Sequence, residues 1–184
     1  MCDMENIVIV GSSGHAKVVV DVVEKQKKYQ VVGFIDSYRD VGESTLGIPV
    51  LGGEGDLPNI IKEHNVKYAF IAIGDNAIRH KVFNKIKSLV PDLSFCTIVH
   101  PAANIGKDVL IGKGTVVMAG AVVNPSSVIG EFCILNTNSS LDHDSTMASF
   151  SSLAPRVSTG GGCNIGEFSA VSIGARADAS VFIL

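Results

Sequence analysis

The stretch VMAGAVVNPSSVIGEFCILNTNSSL, residues 117–141, has a large aliphatic residue at every sixth position. The same spacing continues in both directions without an insertion. Its members are Val99, Ile105, Ile111, Val117, Val123, Ile129, Leu135, Leu141, Met147, Leu153, Thr159, Ile165 and Val171. Thr159 is the only residue of this series that is not a large aliphatic. A small residue follows most members four positions later, as at Ala121, Ser127 and Cys133.

A six-residue period matches neither a helix nor the alternation of an ordinary strand. It is typical of a parallel β-helix, in which short strands stack coil upon coil. Three hexads form one triangular coil, so residues three hexads apart should stack on neighbouring coils. We expect the aliphatic residues to point inward and the small residues to fit the tight corners. A β-rich domain with chance periodicity is the alternative, and an unbroken series argues against it.

The overall composition excludes some classes of partner. The chain has 184 residues, a formal net charge of −3 and no basic run, so nucleic-acid binding has no electrostatic support. No apolar run approaches the roughly 18 residues that a membrane-spanning helix requires. The four cysteines form no CxxC pair, and Cys133 and Cys163 fall at small corner positions of the repeat. We therefore expect packing cysteines in a reducing, cytoplasmic protein without a metal site.

Ahead of the repeats, predicted strands and helices alternate. Strands are expected at 7–10, 31–35, 68–73 and 93–99, and helices at 16–28, 57–64 and 75–90. The residues expected on the inward face of the last helix are Ile78, Val82, Phe83 and Ile86. This alternation predicts a small parallel sheet covered by helices, of the nucleotide-binding type. The predicted organisation is an α/β domain of the nucleotide-binding type at 1–97, followed by an all-β domain of hexapeptide repeats at 98–184.

Three polar turns are expected at the same edge of this sheet, because parallel strands end together there. They are the Gly11-x-x-Gly14-His15 turn, Asp36 after the second strand, and Gly74-Asp75-Asn76 after the third. Glycine allows close approach of a ligand, and a helix N-terminus attracts an anion. Each turn alone is equally compatible with packing or turn formation. The dinucleotide fingerprint GxGxxG is absent, which disfavours an NAD-dependent enzyme.

One segment of the repeat region carries the residue types of an acid–base site. His143 lies two positions after the inward Leu141, so its side chain should face outward, between Asp142 and Asp144. A carboxylate can fix the tautomer of an imidazole and raise its basicity, which suits a general base. Gly161, one coil later, should leave room beside the ring. The alternative is a solvated surface histidine on a polar coil face.

These motifs together resemble a known family. They are GSSGHAKVV at 11–19, IAIGDN at 71–76 with Arg79, the hexads, and LNT at 135–137 leading to DHD at 142–144. In this order they resemble the bacterial nucleotide-sugar N-acetyltransferases that act on 4-amino sugars, which are relatives of the sialic acid O-acetyltransferases. The resemblance covers nearly the whole chain, and it implies a left-handed β-helix and a role in making cell-surface polysaccharide.

The resemblance also implies partners and residue roles. It implies a homotrimer that binds acetyl-CoA between adjacent β-helices and takes a nucleotide-linked amino sugar, with UDP expected as the nucleotide. It implies that His143 is the general base and that Asp144 is the acid that orients it. The residues that it assigns to the substrate are Ser13, Gly14, His15, Asp36 and Gly74. The residues that it assigns to acetyl-CoA are Ser152, Gly161 and Ile173; some relatives have a second histidine where this chain has Ser152.

Further expectations concern the chain end, the rival functions and the donor to the oxyanion. The hexads are expected to stop after Val171, earlier than in relatives, which would shorten the acetyl-CoA groove. Acetyl transfer to a sugar hydroxyl, as in the sialic acid O-acetyltransferases, remains the first alternative. A nucleotide-sugar-binding trimer without catalysis is the alternative from another class. An N–H group near residues 160–162 is the expected donor to the reaction's oxyanion.

Overall fold

The computed structural model describes residues 4–183 and divides the chain into two compact units, Met1–Cys96 and Thr97–Leu184. Each unit has its own hydrophobic core and is described by itself. Cys2 lies outside the described residues.

The first unit is a six-stranded sheet with helices. Its strands are β1 (Glu5–Val10), β2 (Tyr29–Ile35), β3 (Ser44–Thr45), β4 (Ile48–Gly52), β5 (Tyr68–Ile71) and β6 (Ser94–Phe95). Its helices are α1 (Gly14–Gln26), α2 (Leu57–Glu63) and α3 (Asn76–Leu89), with a 3₁₀ turn at Glu54–Asp56. The strand order is β3-β4-β2-β1-β5-β6, and every neighbouring pair is parallel except β3 with β4.

The local sequence explains where these elements lie and end. The apolar run 7–10 makes β1 the buried centre of the sheet. Helix α1 ends where Lys27 adopts a left-handed conformation, with φ of 54°. Helix α3 begins at a capping residue, Asp75, whose side chain accepts a 2.8 Å hydrogen bond from the Ile78 N–H.

Two details of the predicted α/β region are wrong. The single strand expected at 93–99 is two strands, because Ser94–Phe95 pairs with β5 whereas Ile98–Val99 belongs to the second unit. Ile78 was expected to point into the core, but its side chain is about half exposed. It borders a cavity that is described below.

The second unit is a parallel β-helix of three five-stranded sheets. The first sheet contains β7 (Ile98–Val99), β10 (Val116–Val117), β13 (Ile134–Leu135), β16 (Ser152–Leu153) and β19 (Ala170–Val171). The second contains β8 (Asn104–Ile105), β11 (Val122–Val123), β14 (Ser140–Leu141), β17 (Ser158–Thr159) and β20 (Arg176–Ala177). The third contains β9 (Leu110–Ile111), β12 (Val128–Ile129), β15 (Thr146–Met147), β18 (Asn164–Ile165) and β21 (Phe182–Ile183).

The register of these strands confirms the hexad interpretation. Val117 aligns with Leu135 and Leu135 with Leu153, so each coil takes three hexads. The inward positions from 117 to 171 are buried, including Thr159. The predicted inward residues of the first coil are less covered: Val99 and Ile111 are partly buried, and Ile105 is 37% exposed.

The small residues occupy tight corners as expected. The corner residues that are fully buried are Thr115, Ala121, Ser127, Cys133, Ser139, Ser145, Ser151 and Cys163. Near one corner, the rings of Phe132, Phe150 and Phe168 stack on successive coils with centroids 5.0 and 5.8 Å apart. Contacts between neighbouring coils therefore hold this unit together.

The expectation that the hexads stop after Val171 is wrong. Ala177 aligns with Thr159, and Ile183 aligns with Ile165, so the same spacing continues through β20 and β21. Alanine is small enough to have hidden the period at position 177, because the pattern was read from large aliphatic residues.

Candidate nucleotide cavity and active site

A cavity of about 800 Å³ opens in the first unit where β1, β2 and β5 end. This volume lies within the usual range for small-molecule sites. Its position beyond the carboxyl ends of parallel strands is where such sheets bind ligands. The lining residues are Val10, Gly11, Ser12, Ser13, Ile35, Asp36, Ser37, Tyr38, Arg39, Glu54, Ile73, Ile78, Lys81, Val82 and Lys85.

Asp36 is held firmly at the mouth of this cavity. Its Oδ2 accepts hydrogen bonds from the Ser12 N–H at 3.0 Å and the Ser12 hydroxyl at 2.6 Å. Its Oδ1 accepts from the Tyr38 N–H at 3.0 Å, which is a turn-forming contact. Asp36 therefore organises both turns and also lines the cavity.

Four charged residues of the cavity were missed by the sequence analysis. Glu54 is buried, and its carboxylate accepts hydrogen bonds from the Ser37 hydroxyl and from the Lys85 ammonium at 3.1 Å. Lys81 and Lys85 lie one turn apart on α3, so they share a face. Arg39 donates to the Thr45 hydroxyl at 2.7 Å and to Glu43. Only the i, i+4 spacing of the two lysines was visible in the sequence.

The other predicted substrate residues are distributed unevenly. Ser13 lines the cavity, whereas Gly14, His15 and Gly74 are not among its lining residues. Burial, followed by the charge of Arg79, lowers the pKa of His15 to about 4, so its ring is neutral at physiological pH. Within residues 4–183, the buried His15 Nε2 has no hydrogen-bond partner.

His143 projects from the turn after β14, and its side chain is 61% exposed. Its Nδ1 lies 2.7 Å from the Asp144 Oδ2, and its backbone N–H donates to the Asp142 Oδ1 at 2.8 Å. The hydrogen bond to Asp144 raises the pKa of His143 above its ordinary value, and the charge of Asp142 adds to this effect. The result is a more basic imidazole whose Nε2 is not engaged by either carboxylate.

Asp142 is fixed from the preceding coil. Its Oδ1 also accepts a 2.5 Å hydrogen bond from the Asn124 side-chain amide, one coil earlier in the same sheet. This hydrogen bond, followed by the one from the His143 N–H, lowers the pKa of Asp142, which keeps the carboxylate charged. The sequence analysis did not single out Asn124, although its position one coil before Asp142 follows from the repeat.

The His143 ring lies against Gly161 of the next coil. A β-carbon at Gly161 would come within 2.5 Å of both Cε1 and Nε2 of the ring. The ring thus fills the space that was expected to stay open, and a larger residue at position 161 would displace the ring. Gly160 and Gly162 donate their N–H groups to Ala177 and His143. In the part of the chain that the structure describes, the Gly161 N–H has no acceptor.

The remaining predicted acetyl-CoA residues belong to or follow strands of the first sheet, whereas His143 follows β14 of the second sheet. Ser152 is half-buried at the start of β16, and Ile173 follows β19 and is 76% exposed. The structure thus brings Gly161 to His143 but leaves Ser152 and Ile173 on another face of the β-helix.

Across residues 4–183, no helix is long and apolar enough to cross a membrane. Over the same residues, no group of three or more His, Cys, Asp or Glu side chains could hold a metal ion. Cys96, Cys133 and Cys163 are buried thiols, and burial raises the pKa of Cys96 to about 12.

Comparison with known proteins places both units in one family. A family model described as the PglD N-terminal domain matches residues 6–86. The structure of PerB from Caulobacter crescentus, solved in complex with CoA and GDP-perosamine, is 33% identical with a TM-score of 0.89. The match covers 98% of this chain and 83% of that one. Two structures of a perosamine N-acetyltransferase from Caulobacter crescentus, each with one histidine replaced by alanine or asparagine, are 32% identical with TM-scores of 0.90 and the same coverage.

Two further solved structures agree in fold. The acetyltransferase domain of PglB from Neisseria gonorrhoeae, in complex with acetyl coenzyme A, is 28% identical with a TM-score of 0.86, covering 98% of this chain and 85% of that one. WeeI from Acinetobacter baumannii, at 22% identity, a TM-score of 0.74 and coverage of 98% and 96%, shares the fold.

The α/β unit followed by a left-handed β-helix of hexapeptide repeats therefore defines the class as an acetyl-CoA-dependent acyltransferase, and the predicted fold class is confirmed. The chain belongs to the hexapeptide-repeat nucleotide-sugar N-acetyltransferases.

Proposed function

We propose that this chain transfers the acetyl group of acetyl-CoA to the amino group of a nucleotide-linked amino sugar, with His143 as general base. The observation that carries the proposal is the exposed imidazole whose Nδ1 is held by Asp144 and whose Nε2 lies over Gly161. The perosamine N-acetyltransferase from Caulobacter crescentus, which is 32% identical to this chain, favours an amine over a hydroxyl as the acceptor.

The proposed chemistry needs one proton acceptor and one oxyanion donor. With the Nδ1–H donated to Asp144, Nε2 carries the lone pair that accepts a proton from the attacking amine. The amine nitrogen forms a bond to the thioester carbon, and the carbonyl oxygen becomes an oxyanion. The free N–H of Gly161 beside the ring is the best-placed donor to that oxygen. Collapse of the intermediate breaks the C–S bond, and the departing CoA thiolate takes the proton from His143.

The cavity of the first unit is the proposed site for the nucleotide. Backbone N–H groups at the start of α1 favour phosphate, and Lys81 adds positive charge at the lining. Of the predicted substrate residues, Ser13 and Asp36 line this cavity. Gly14, His15 and Gly74 do not line it, and we propose that they support the turns that do. UDP was expected, but the Caulobacter relative binds GDP-perosamine, so we propose a nucleoside diphosphate sugar of either base.

Acetyl-CoA is proposed to bind along the β-helix near Gly161, with Ser152 and Ile173 contributing from the neighbouring subunit of a homotrimer. Their position on a different face from His143 supports a groove shared by two chains. Light scattering should give a mass near three chains, and a monomer that is fully active would contradict the shared groove.

The test is acetyl-CoA consumption against a matched panel of acceptors. The panel holds UDP- and GDP-linked 4-amino sugars, the same sugars with a hydroxyl in place of the amine, and the free amino sugar. We expect turnover with an amino sugar nucleotide and little with its hydroxyl analogue. Equal or faster turnover of the hydroxyl analogue would replace the proposal with O-acetyl transfer, and the absence of any turnover with retained nucleotide-sugar binding would favour a non-catalytic binding protein.

A further inference from the structure

Thr159 interrupts the aliphatic series of the β-helix, and the function proposed above does not use it. Its side chain points into an otherwise apolar stack and is 6% exposed. A buried hydroxyl is costly unless it is hydrogen-bonded, and valine has nearly the same shape without that cost. A threonine at this position therefore needs an explanation beyond packing.

The hydroxyl of Thr159 replaces one backbone acceptor of the coil-to-coil ladder. In this sheet, the residue that follows an inward residue donates its backbone N–H to a carbonyl of the next coil. That carbonyl belongs to the inward residue of the next coil, as when Asn124 donates to Leu141 at 2.9 Å. Gly160 does the same to Ala177 at 2.8 Å. Asp142 departs from this pattern, because its N–H donates to the Thr159 Oγ1 at 3.1 Å.

The strand register is interrupted at the same place. Each strand pair of the β-helix within residues 97–183 aligns two residues of each strand, except β14 with β17, where Ser140 and Ser158 alone are aligned. The Thr159 hydroxyl also donates to the Ser140 carbonyl at 3.4 Å. One side chain thus contacts the backbone on both sides of Leu141.

These contacts bear directly on the turn that carries the imidazole. Asp142 begins that turn, and its carboxylate accepts from the His143 N–H. The far side of the turn is joined to the next coil by the Gly162 N–H, which donates to the His143 carbonyl at 2.8 Å. Thr159 therefore supplies the contact that holds the near side of the turn to the next coil.

We propose that Thr159 is a positioning residue whose hydroxyl, through the Asp142 N–H, sets where the turn 142–144 places the His143 imidazole over Gly161. The inference rests on the proposed role of His143 as general base. It assigns a function to the one polar residue of the hexad series.

The test compares Thr159→Val with two matched variants. Thr159→Ser keeps the hydroxyl. Thr115→Val removes a buried hydroxyl that links coils in the same way, donating to the Gly130 carbonyl and accepting from the Cys133 N–H, both at 2.9 Å. Thr115 lies away from the turn that carries His143, so its variant reports the general cost of losing such a link. Valine restores the hexad pattern, so the Thr159→Val variant should fold.

We expect Thr159→Val to lower kcat by about 10- to 100-fold, because a displacement of about 1 Å can cost about 100-fold. The KM for acetyl-CoA should change little, Thr159→Ser should restore most of kcat, and Thr115→Val should leave kcat unchanged. Wild-type kcat in Thr159→Val, or an equal loss in Thr115→Val, would overturn the proposal.

An NMR titration of His143 separates this proposal from the proposed function. In Thr159→Val the pKa of His143 should fall toward its ordinary value, because the turn that holds the ring beside the two carboxylates is loosened. That shift should appear even if His143→Ala shows that the ring is not the base. An unchanged titration in Thr159→Val would contradict positioning whether or not His143 is catalytic.

Discussion

At the scale of single residues, the site is built from short contacts that a linear sequence only partly reveals. The Asp142-His143-Asp144 triplet indicated an acid–base group because carboxylates beside a histidine raise its basicity. The sequence could not reveal that the ring would fill the space over Gly161, or that a threonine hydroxyl would hold the turn. Both depend on the direction in which side chains point between coils.

Replacing Asp144 by asparagine should move the pH profile of the reaction. A general base acts when its imidazole is neutral, so kcat/KM should rise with pH through the His143 pKa. Because the Asp144 hydrogen bond and the Asp142 charge raise that pKa, the rise in the wild type should centre above about 6.5. Asp144→Asn should shift this rise in kcat/KM to lower pH. It should also reduce the value that kcat/KM reaches at high pH, because the imidazole is then a weaker base.

The control for this measurement is Asp21→Asn, which removes an exposed carboxylate that pairs with Lys25 on α1. Its pH profile should match that of the wild type. If Asp144→Asn also leaves the profile in place, then Asp144 does not govern the basicity of His143.

At the scale of elements, the two units differ in how well sequence predicts them. The six-residue spacing was sufficient to predict the coils of the β-helix, because every inward residue packs in the same way on the coil before and after it. The prediction failed only at Ala177, where the structural repeat continues but the side chain is smaller than the large aliphatic residues that defined the pattern. In the α/β unit, Ile78 followed the apolar face of α3 but lines a cavity, since periodicity cannot distinguish a core from a ligand site.

The coil stack makes a prediction about stability. Leu135 is fully buried in the stack, whereas Ile105 in the first coil is 37% exposed. Leu135→Ala should lower the free energy of unfolding by about 2–5 kcal/mol, because it leaves a cavity between coils. Ile105→Ala should cost clearly less. Urea denaturation measures both, and equal losses would argue that the coils are not packed as described.

At the scale of the whole molecule, an α/β unit with a ligand cavity precedes a β-helix that carries the proposed base. This division predicts that nucleotide recognition and proton transfer are separate tasks of separate units. The sequence indicated both units and the edge of the sheet where the cavity opens. It did not reveal the buried Glu54 or its contact with Lys85, because these residues meet only when a turn and α3 come together in the fold.

The most direct test of the account is kcat for His143→Ala, measured with acetyl-CoA and the best amino sugar nucleotide of the acceptor panel. A general base contributes about 10²- to 10⁴-fold, so kcat should fall by that factor while the affinity for acetyl-CoA changes little. A kcat equal to that of the wild type would contradict the assignment of His143 as the base.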